Sequence, residues 1–247
     1  MTVSADILAA AALVVCAAYA VYGLTGFGST VLSLPILAHL MPLKFAVALL
    51  LLLDLAMGIA FNARAHRGIR MDEMAWLVPF ALVGMVGGLT LLIQLPERSL
   101  ITVLGVFVLT YALWGISRRG AAQALSRVWS VPIGLAGGAF SALFGTGGVL
   151  FVVYTSGRLR SVTELRATTA AMILFSVSVR ALLFLATGLF DQPGLLVSAL
   201  ALAPAALIGL LIGTRLHAKV RAVVVVRAIY LLLVVAGISL LVRAAGA

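Results

Sequence analysis

Two glycine-rich strings hold the residues best suited to chemistry, GLTGFGST at 23–30 and ALFGTGGV at 142–149. In each, two glycines stand two apart, Gly26 with Gly28 and Gly145 with Gly147, and Gly148 follows in the second. Glycine turns the backbone sharply without steric cost and lets a ligand approach it closely. An apolar stretch begins directly after each string, at Ser29 and at Val149. As helices, these stretches have first N–H groups with no partner inside the helix, at the partly positive end of the helix dipole. Such ends bind anions. Thr25, Ser29, Thr30 and Thr146 add hydroxyl donors, so the two strings together make a candidate pocket for one small anion. The competing reading is close helix packing, because small residues line the interfaces between membrane helices.

Two ionisable residues lie inside long apolar runs, where a charge is costly and therefore a functional candidate. Arg180 can hold an anion or snorkel to an interface. Asp54 can carry a coupling proton or make a structural hydrogen bond. Counting along their runs places the two nearer opposite membrane faces, roughly 10 Å apart in depth at about 1.5 Å per residue, so no ion pair is assigned. Thr168, Thr169, Ser176 and Ser178 share the run of Arg180, although hydroxyls in such helices often bond only their own backbone. Arg227 is expected to snorkel. His39, His66 and His217 fall near run ends or in loops, without metal-ligand spacing. No metal and no cofactor is expected. A membrane serine protease needs a base beside its nucleophile, and no run supplies a histidine for it, so the chain reads as a non-enzyme. Cys16 is the one cysteine, which excludes internal disulfides and paired-thiol chemistry; it reads as a small buried residue.

The elements that must position these residues follow from composition. Of 247 residues, 64% are hydrophobic and 10% charged, with a mean hydropathy of +1.25. A soluble domain runs near half apolar and a quarter charged and could not bury this much. Apolar runs able to cross roughly 30 Å of hydrocarbon, each needing about 20 residues, recur throughout. They cover 7–22, 43–61, 74–93, 100–116, 129–144, 165–187, 195–216 and 220–242, all read as helix. Two shorter runs, 29–40 and 149–155, follow the glycine strings and are too short to cross alone. They read as half-helices. The first run lacks the basic flank of a secretory signal and reads as a retained helix. Trp76, Trp114 and Trp129, at run ends, fit an interfacial aromatic belt.

The sequence also repeats itself. PFALVGMVGG from Pro79 matches PAALIGLLIG from Pro204 at an offset of 125, and the glycine strings match at an offset of 119. Two related halves, 1–120 and 121–247, are expected. The net charge of +10 matters less by its sum, which could suggest nucleic acid, than by its placement. Arg64, Arg67 and Arg70 share one loop; Arg118, Arg119 and Arg127 a second; Arg158, Arg160 and Arg166 a third; Arg215, Lys219 and Arg221 a fourth. These loops are assigned to the cytoplasm. Connections with only Lys44 and Arg98, and the loop with Asp191, face outward. For all four basic loops to share one face, each half must open with a re-entrant hairpin. The halves then become inverted repeats with both termini outside, a plan shared by secondary transporters. Eight simple spans are the alternative, which forces the Arg158 and Arg160 loop or the Arg64–Arg70 loop outward.

GLTGFGSTVLSLP in the first half, GGAFSALFGTGG in the second and the repeated PxALxGxxxG block together resemble the sulfite exporter TauE/SafE family over nearly the whole chain. The resemblance implies an all-α, multi-pass carrier of the bacterial inner membrane that exports sulfite, sulfoacetate or another organosulfonate. It maps the family's glycine turns onto Gly26, Gly28, Gly145, Gly147 and Gly148. Tyr154 stands where the first half-helix has Pro35, so the two hairpins are expected to contribute unequally. The expected function is a secondary carrier of a small anion, moved by alternating access of one repeat against the other. An anion channel, or a membrane scaffold or assembly factor without transport, remains the alternative. The lipid bilayer is the expected surround, nucleic acid is not an expected partner, and a homodimer is left open.

Overall fold

Long apolar runs bounded by glycine, proline and charge become helices throughout. The computed structural model describes residues 5–26, 28–62, 68–117, 124–216 and 222–246. In chain order the helices are α1 (Ala5–Thr25), α2 (Ser29–Leu40), α3 (Leu43–Asn62), α4 (Met71–Gln94), α5 (Glu97–Ser117), α6 (Ser130–Phe144), α7 (Gly148–Arg158), α8 (Val162–Ala186), α9 (Leu195–Leu216) and α10 (Ala222–Gly246). A 3₁₀ turn, Arg127–Trp129, precedes α6. No strand occurs among the described residues. Seven helices among the described residues have the length and apolarity to cross a bilayer. α2 and α7, with 12 and 11 residues, reach only about 18 and 16 Å at 1.5 Å per residue. Arg64, His66, Arg67, Arg118, Arg119, His217, Lys219 and Arg221, and the side chain of Arg227, lie outside the described residues.

Contacts divide the chain into two compact units. One comprises residues 1–50, 95–120 and 191–247, the other 51–94 and 121–190. The repeat is a matter of sequence and the unit a matter of contact, and the two divisions differ: each unit draws helices from both sequence halves. In the first, α1 packs along α9, α5 along α10, and α2 against α1, α5 and α10. In the second, α6 packs along α4, and α7 and α8 close around α6.

The PxALxGxxxG block sets the main seam of each unit. In α4, a Cβ on Gly84 would overlap the carbonyl of Leu135, and one on Gly88 the carbonyl of Ala139. In α9, a Cβ on Gly209 would overlap the carbonyl of Cys16, and one on Gly213 that of Ala20. The glycines are related by the 125-residue offset, and their partners Leu135 and Ala139 are related to Cys16 and Ala20 by the 119-residue offset. The same backbone-to-backbone seam is therefore built twice, from the same positions of the repeat. For these glycines, helix packing is the role the structure shows. Cys16, expected to be buried, is half-buried.

The second hairpin returns to its starting point. The Leu125 N–H donates to the Gly157 carbonyl at 2.9 Å, and Arg127, before α6, and Arg158, at the end of α7, both pair with Glu73. Arg70 is tied to the same place through Asp72 at 2.9 Å. Arg70 and Arg158 thus share one end of the unit, which eight simple spans would forbid. In the first unit only three residues separate α1 from α2, and the two helices pack together. The far end of α2 lies beside the end of α10, where Arg243 donates to the Ala38 carbonyl and the Ser239 hydroxyl meets His39 Nε2 at 3.0 Å. Glu97 accepts the Leu43 N–H at 3.0 Å there, and Arg98 Nε donates to the Ala244 carbonyl at 2.8 Å.

Candidate functional site

The two glycine turns solve the same problem differently. Gly26 and Gly145, equivalent at the 119-residue offset, both sit in the left-handed region with φ of 83° and 74°. Gly145 caps α6 there, its N–H donating to the Ser141 carbonyl at 2.8 Å, as in glycine-terminated helices generally. The next glycines diverge. Gly28 is left-handed, φ 94°, with open space around a Cβ. Gly147 is right-handed, φ −59°, and a Cβ on it would overlap the Gly137 carbonyl and lie 2.7 Å from the Ser141 Cβ. Gly28 thus serves conformation and Gly147 close approach. α7 begins at Gly148, one residue earlier than its apolar run suggests. Its Val149 and Leu150 N–H groups donate to the carbonyls of Thr146 and Gly147. No acceptor is found among the described residues for the N–H groups of Gly147 and Gly148.

Two hydroxyls expected to donate to a ligand point elsewhere. Thr25 Oγ1 donates to the Val21 carbonyl at 2.8 Å. Thr146, fully buried, directs its hydroxyl to the Phe140 carbonyl at 3.5 Å. Each is used inside its own turn. Ser29 and Thr30, at the start of α2, are buried, and Ser33 donates to the Ser29 carbonyl at 2.8 Å.

Arg180 is the bulkiest fully buried side chain among the described residues, at 1% exposure. Its guanidinium lies 5.3 Å from the Phe184 ring centroid, a cation–π geometry. An arginine this buried does not reach a water interface, so snorkelling is not its role. The stripe it belongs to faces the hairpin. Thr169 bonds Thr155 of α7 at 2.7 Å, Ile173 packs against the Gly148 backbone, and the hydroxyls of Ser176 and Ser141 of α6 bond each other. These hydroxyls therefore link helices and do not merely satisfy their own. Both α6 and α8 run away from the Arg70 end, where Thr168 accepts the Arg70 N–H at 3.0 Å. One helical turn beyond the Ser141–Ser176 pair comes Gly145 on one helix and Arg180 on the other. The register thus sets Arg180 level with Gly145, and its guanidinium meets Phe184 one turn farther along α8, whereas Gly148 packs beside Ile173, seven residues or about 10 Å nearer the start of that helix.

Asp54, half-buried near the middle of α3, lies closer in depth to Arg180 than counting suggests. The Gly58 Cβ position is 4.0 Å from Leu174, and Gly68 packs on Thr163 and Glu164. α3 and α8 therefore run antiparallel, with Asp54 level with Ser178. The roughly 10 Å expected from hydropathy shrinks to about two residues, or 3 Å at 1.5 Å per residue. Arg180 and Leu174 nevertheless lie on different faces of α8, six residues apart at about 100° each.

A further cluster, absent from the sequence reading, gathers at the Arg70 end. Glu73, 3% exposed in the first turn of α4, accepts two hydrogen bonds from Arg158, Nε at 3.1 Å and Nη2 at 2.7 Å, and one from the Tyr154 hydroxyl at 2.8 Å. Arg127 approaches it at 3.4 Å and lies over the Trp76 ring. The adjacent acids Asp72 and Glu73, next to a basic loop, were the one signal for it in the sequence. Among the described residues no group of acids, histidines and cysteine could hold a metal ion.

Comparison with known proteins agrees with this architecture. The sulfite exporter TauE/SafE family profile matches residues 10–240. The chain is 29% identical over 195 residues to the probable inner membrane transporter protein TsaS of Comamonas testosteroni, covering 78% of this chain and 81% of that protein. No solved structure matches the chain. Matched across almost its whole length by the profile, and built of helices of membrane-crossing length around two glycine hairpins, this chain belongs to the sulfite exporter TauE/SafE family of multi-pass inner-membrane transporters.

Proposed function

We propose that the chain is a secondary carrier that exports a small sulfur oxyanion or organosulfonate, of the sulfite or sulfoacetate kind. The anion is bound near the bilayer midplane by the turn into α7 and by Arg180, and the two sequence halves act as inverted repeats in alternating access. The observation that carries this reading is Arg180, buried level with Gly145, the glycine that ends α6. A buried guanidinium favours an oxyanion over any neutral or cationic ligand. The family name supports sulfur anions and the outward direction, and the inner-membrane transporter named for the relative is of the same class. Asp54, at the depth of Ser178, is the candidate for carrying a coupling proton.

Ligand-dependent melting tests the binding step. Sulfite, methanesulfonate, sulfate and thiosulfate are each added to purified protein. The preferred anion should stabilise it by about 2.7 kcal/mol at a hundred times its Kd, since it binds only the folded state. Gly147→Leu, which collides with Gly137, should abolish that shift while the protein still inserts. An undiminished shift removes the α6–α7 hairpin from the site.

Orientation has its own check. In a Cys16→Ala background, single cysteines at Met71 and Arg160 should react with a membrane-impermeant thiol reagent from the cytoplasmic face only, and one at Asp191 from the outer face only. Labelling of Met71 and Arg160 from different faces would end the inverted-repeat reading.

A further inference from the structure

The Glu73 cluster is more elaborate than the fold requires. By the offsets of the repeat, Glu73 corresponds to Ser198 of α9, Arg158 to His39 and Tyr154 to Pro35. The first unit builds the same glycine seam without a carboxylate, a guanidinium or a phenol at these places. In the second unit, two guanidinium groups and a phenolic hydroxyl converge on one carboxylate that is almost wholly removed from solvent. Bidentate guanidinium with additional hydroxyl donors is the recognition pattern of oxyanions generally.

Ser130 supplies a separate observation. It is 1% exposed, and its hydroxyl has no hydrogen-bond partner among the described residues. Buried polar groups are nearly always satisfied, so an unsatisfied one asks for an explanation. Gly134 of α6 lies against Leu77 and Phe80 of α4, and Gly138 against Ala81, so the two helices run parallel. One turn earlier on each stand Ser130 and Glu73, at the same level. Ser130 is also the first residue of α6.

We propose that Arg158, Arg127, Tyr154 and Ser130 form a second anion site at the cytoplasmic end of the α6–α7 hairpin, occupied here by the tethered carboxylate of Glu73, which an incoming oxyanion displaces. The anion would be the sulfonate-type substrate of the proposed carrier, and to that extent the inference rests on that reading. The charges facing the site are Arg70 before α4, Asp72 and Glu73 on α4, Arg127 before α6, Arg158 on α7 and Glu164 on α8. Among the described residues paired here, three cations meet three carboxylates, a balance that holds while Glu73 is charged and seated. Neutralising Glu73 leaves one of these positive charges uncompensated, and an external anion restores the balance. Arg158 is also anchored through Nη1 to the Leu125 carbonyl at 3.0 Å, which keeps its position when Glu73 leaves.

The test titrates methanesulfonate into purified wild type, Glu73→Gln, Glu73→Gln/Arg158→Gln and Glu73→Gln/Arg180→Gln, read by calorimetry. Glu73→Gln should lower the Kd at least tenfold, and adding Arg158→Gln should return it to the wild-type value or weaker. The gain should survive Arg180→Gln, which removes only the midplane cation. Equal affinity in wild type and Glu73→Gln overturns this site and leaves the midplane reading standing. A gain that disappears with Arg180→Gln assigns it to the midplane and likewise overturns this site. Absence of binding in all four proteins overturns both. If the Gln variant does not survive detergent, membrane vesicles carrying Cys16→Ala, Glu73→Gln and Ser130→Cys answer the same question. Methanesulfonate should slow alkylation at position 130 at least threefold, and an unchanged rate overturns the inference.

Discussion

Gly88→Ala is expected to lower the melting temperature of the purified protein by on the order of 6–12 °C, while Gly87→Ala leaves it unchanged or slightly higher. The two glycines are neighbours on α4 and differ only in what lies beyond them. A Cβ at Gly87 meets nothing within 4 Å. A Cβ at Gly88 overlaps the Ala139 carbonyl and stands 2.8 Å from its Cα. Backbone cannot rotate away as a side chain can, so the α4–α6 seam must open along its length. Overpacking costs typically 1–3 kcal/mol, and a collision with backbone belongs at or above the top of that range. About 3 kcal/mol corresponds to roughly 6–12 °C for a chain of this size. Replacing Gly87, by contrast, gains helix propensity worth up to about 1 kcal/mol. Gly213→Ala should reproduce the Gly88→Ala loss in the first unit, where the obstacle is the Ala20 carbonyl. Equal melting temperatures for the Gly87 and Gly88 variants, measured by differential scanning fluorimetry, would refute the seam.

Arg180→Gln carries the second large effect. Truncating one side of a buried, hydrogen-bonded charge interaction costs about 2–5 kcal/mol of binding, or at least roughly 30-fold in Kd for the transported anion. Flux into inverted vesicles should fall accordingly. Arg180→Lys should not restore it, because a compact ammonium offers no planar fork to two oxygens. An unchanged Kd in Arg180→Gln would exclude this residue from the site, and a folding failure would assign it to the scaffold.

Much of this architecture was legible in the sequence because hydropathy and glycine placement act locally. The bounds of α2 and α9 coincide with their apolar runs. α4 and α5 start three residues early because Met71-Asp-Glu and Glu97-Arg-Ser continue the helix in polar residues that a hydropathy reading excludes. The glycine turns were equally plain, since no other residue turns a chain so readily inside an apolar stretch. Arg180 stood out as a charge among apolar neighbours, but its burial could not be read, because burial depends on how α8 meets the hairpin.

What escaped was long-range or already spent. Glu73 looks like an ordinary first-turn acid until Arg158, 85 residues away, closes over it. Thr25 and Thr146 looked like ligand donors because sequence does not show that the Val21 and Phe140 carbonyls claim their hydroxyls. The depth of Asp54 relative to Arg180 follows from the α3–α8 register, which the packing of Gly58 on Leu174 sets and which counting along the two apolar runs does not contain.

The exchange of helices between the sequence halves bears on biogenesis. α1 closes its seam against Gly209 and Gly213, which the ribosome makes about 190 residues after Ala20. At 5–20 residues per second, that is roughly 10–40 s during which a newborn first helix rests in lipid with its small-residue face uncovered. α4 waits far less for α6. The protein must therefore complete its second unit before its first, and an insertase able to shelter a lone apolar helix through that delay becomes a condition of its yield.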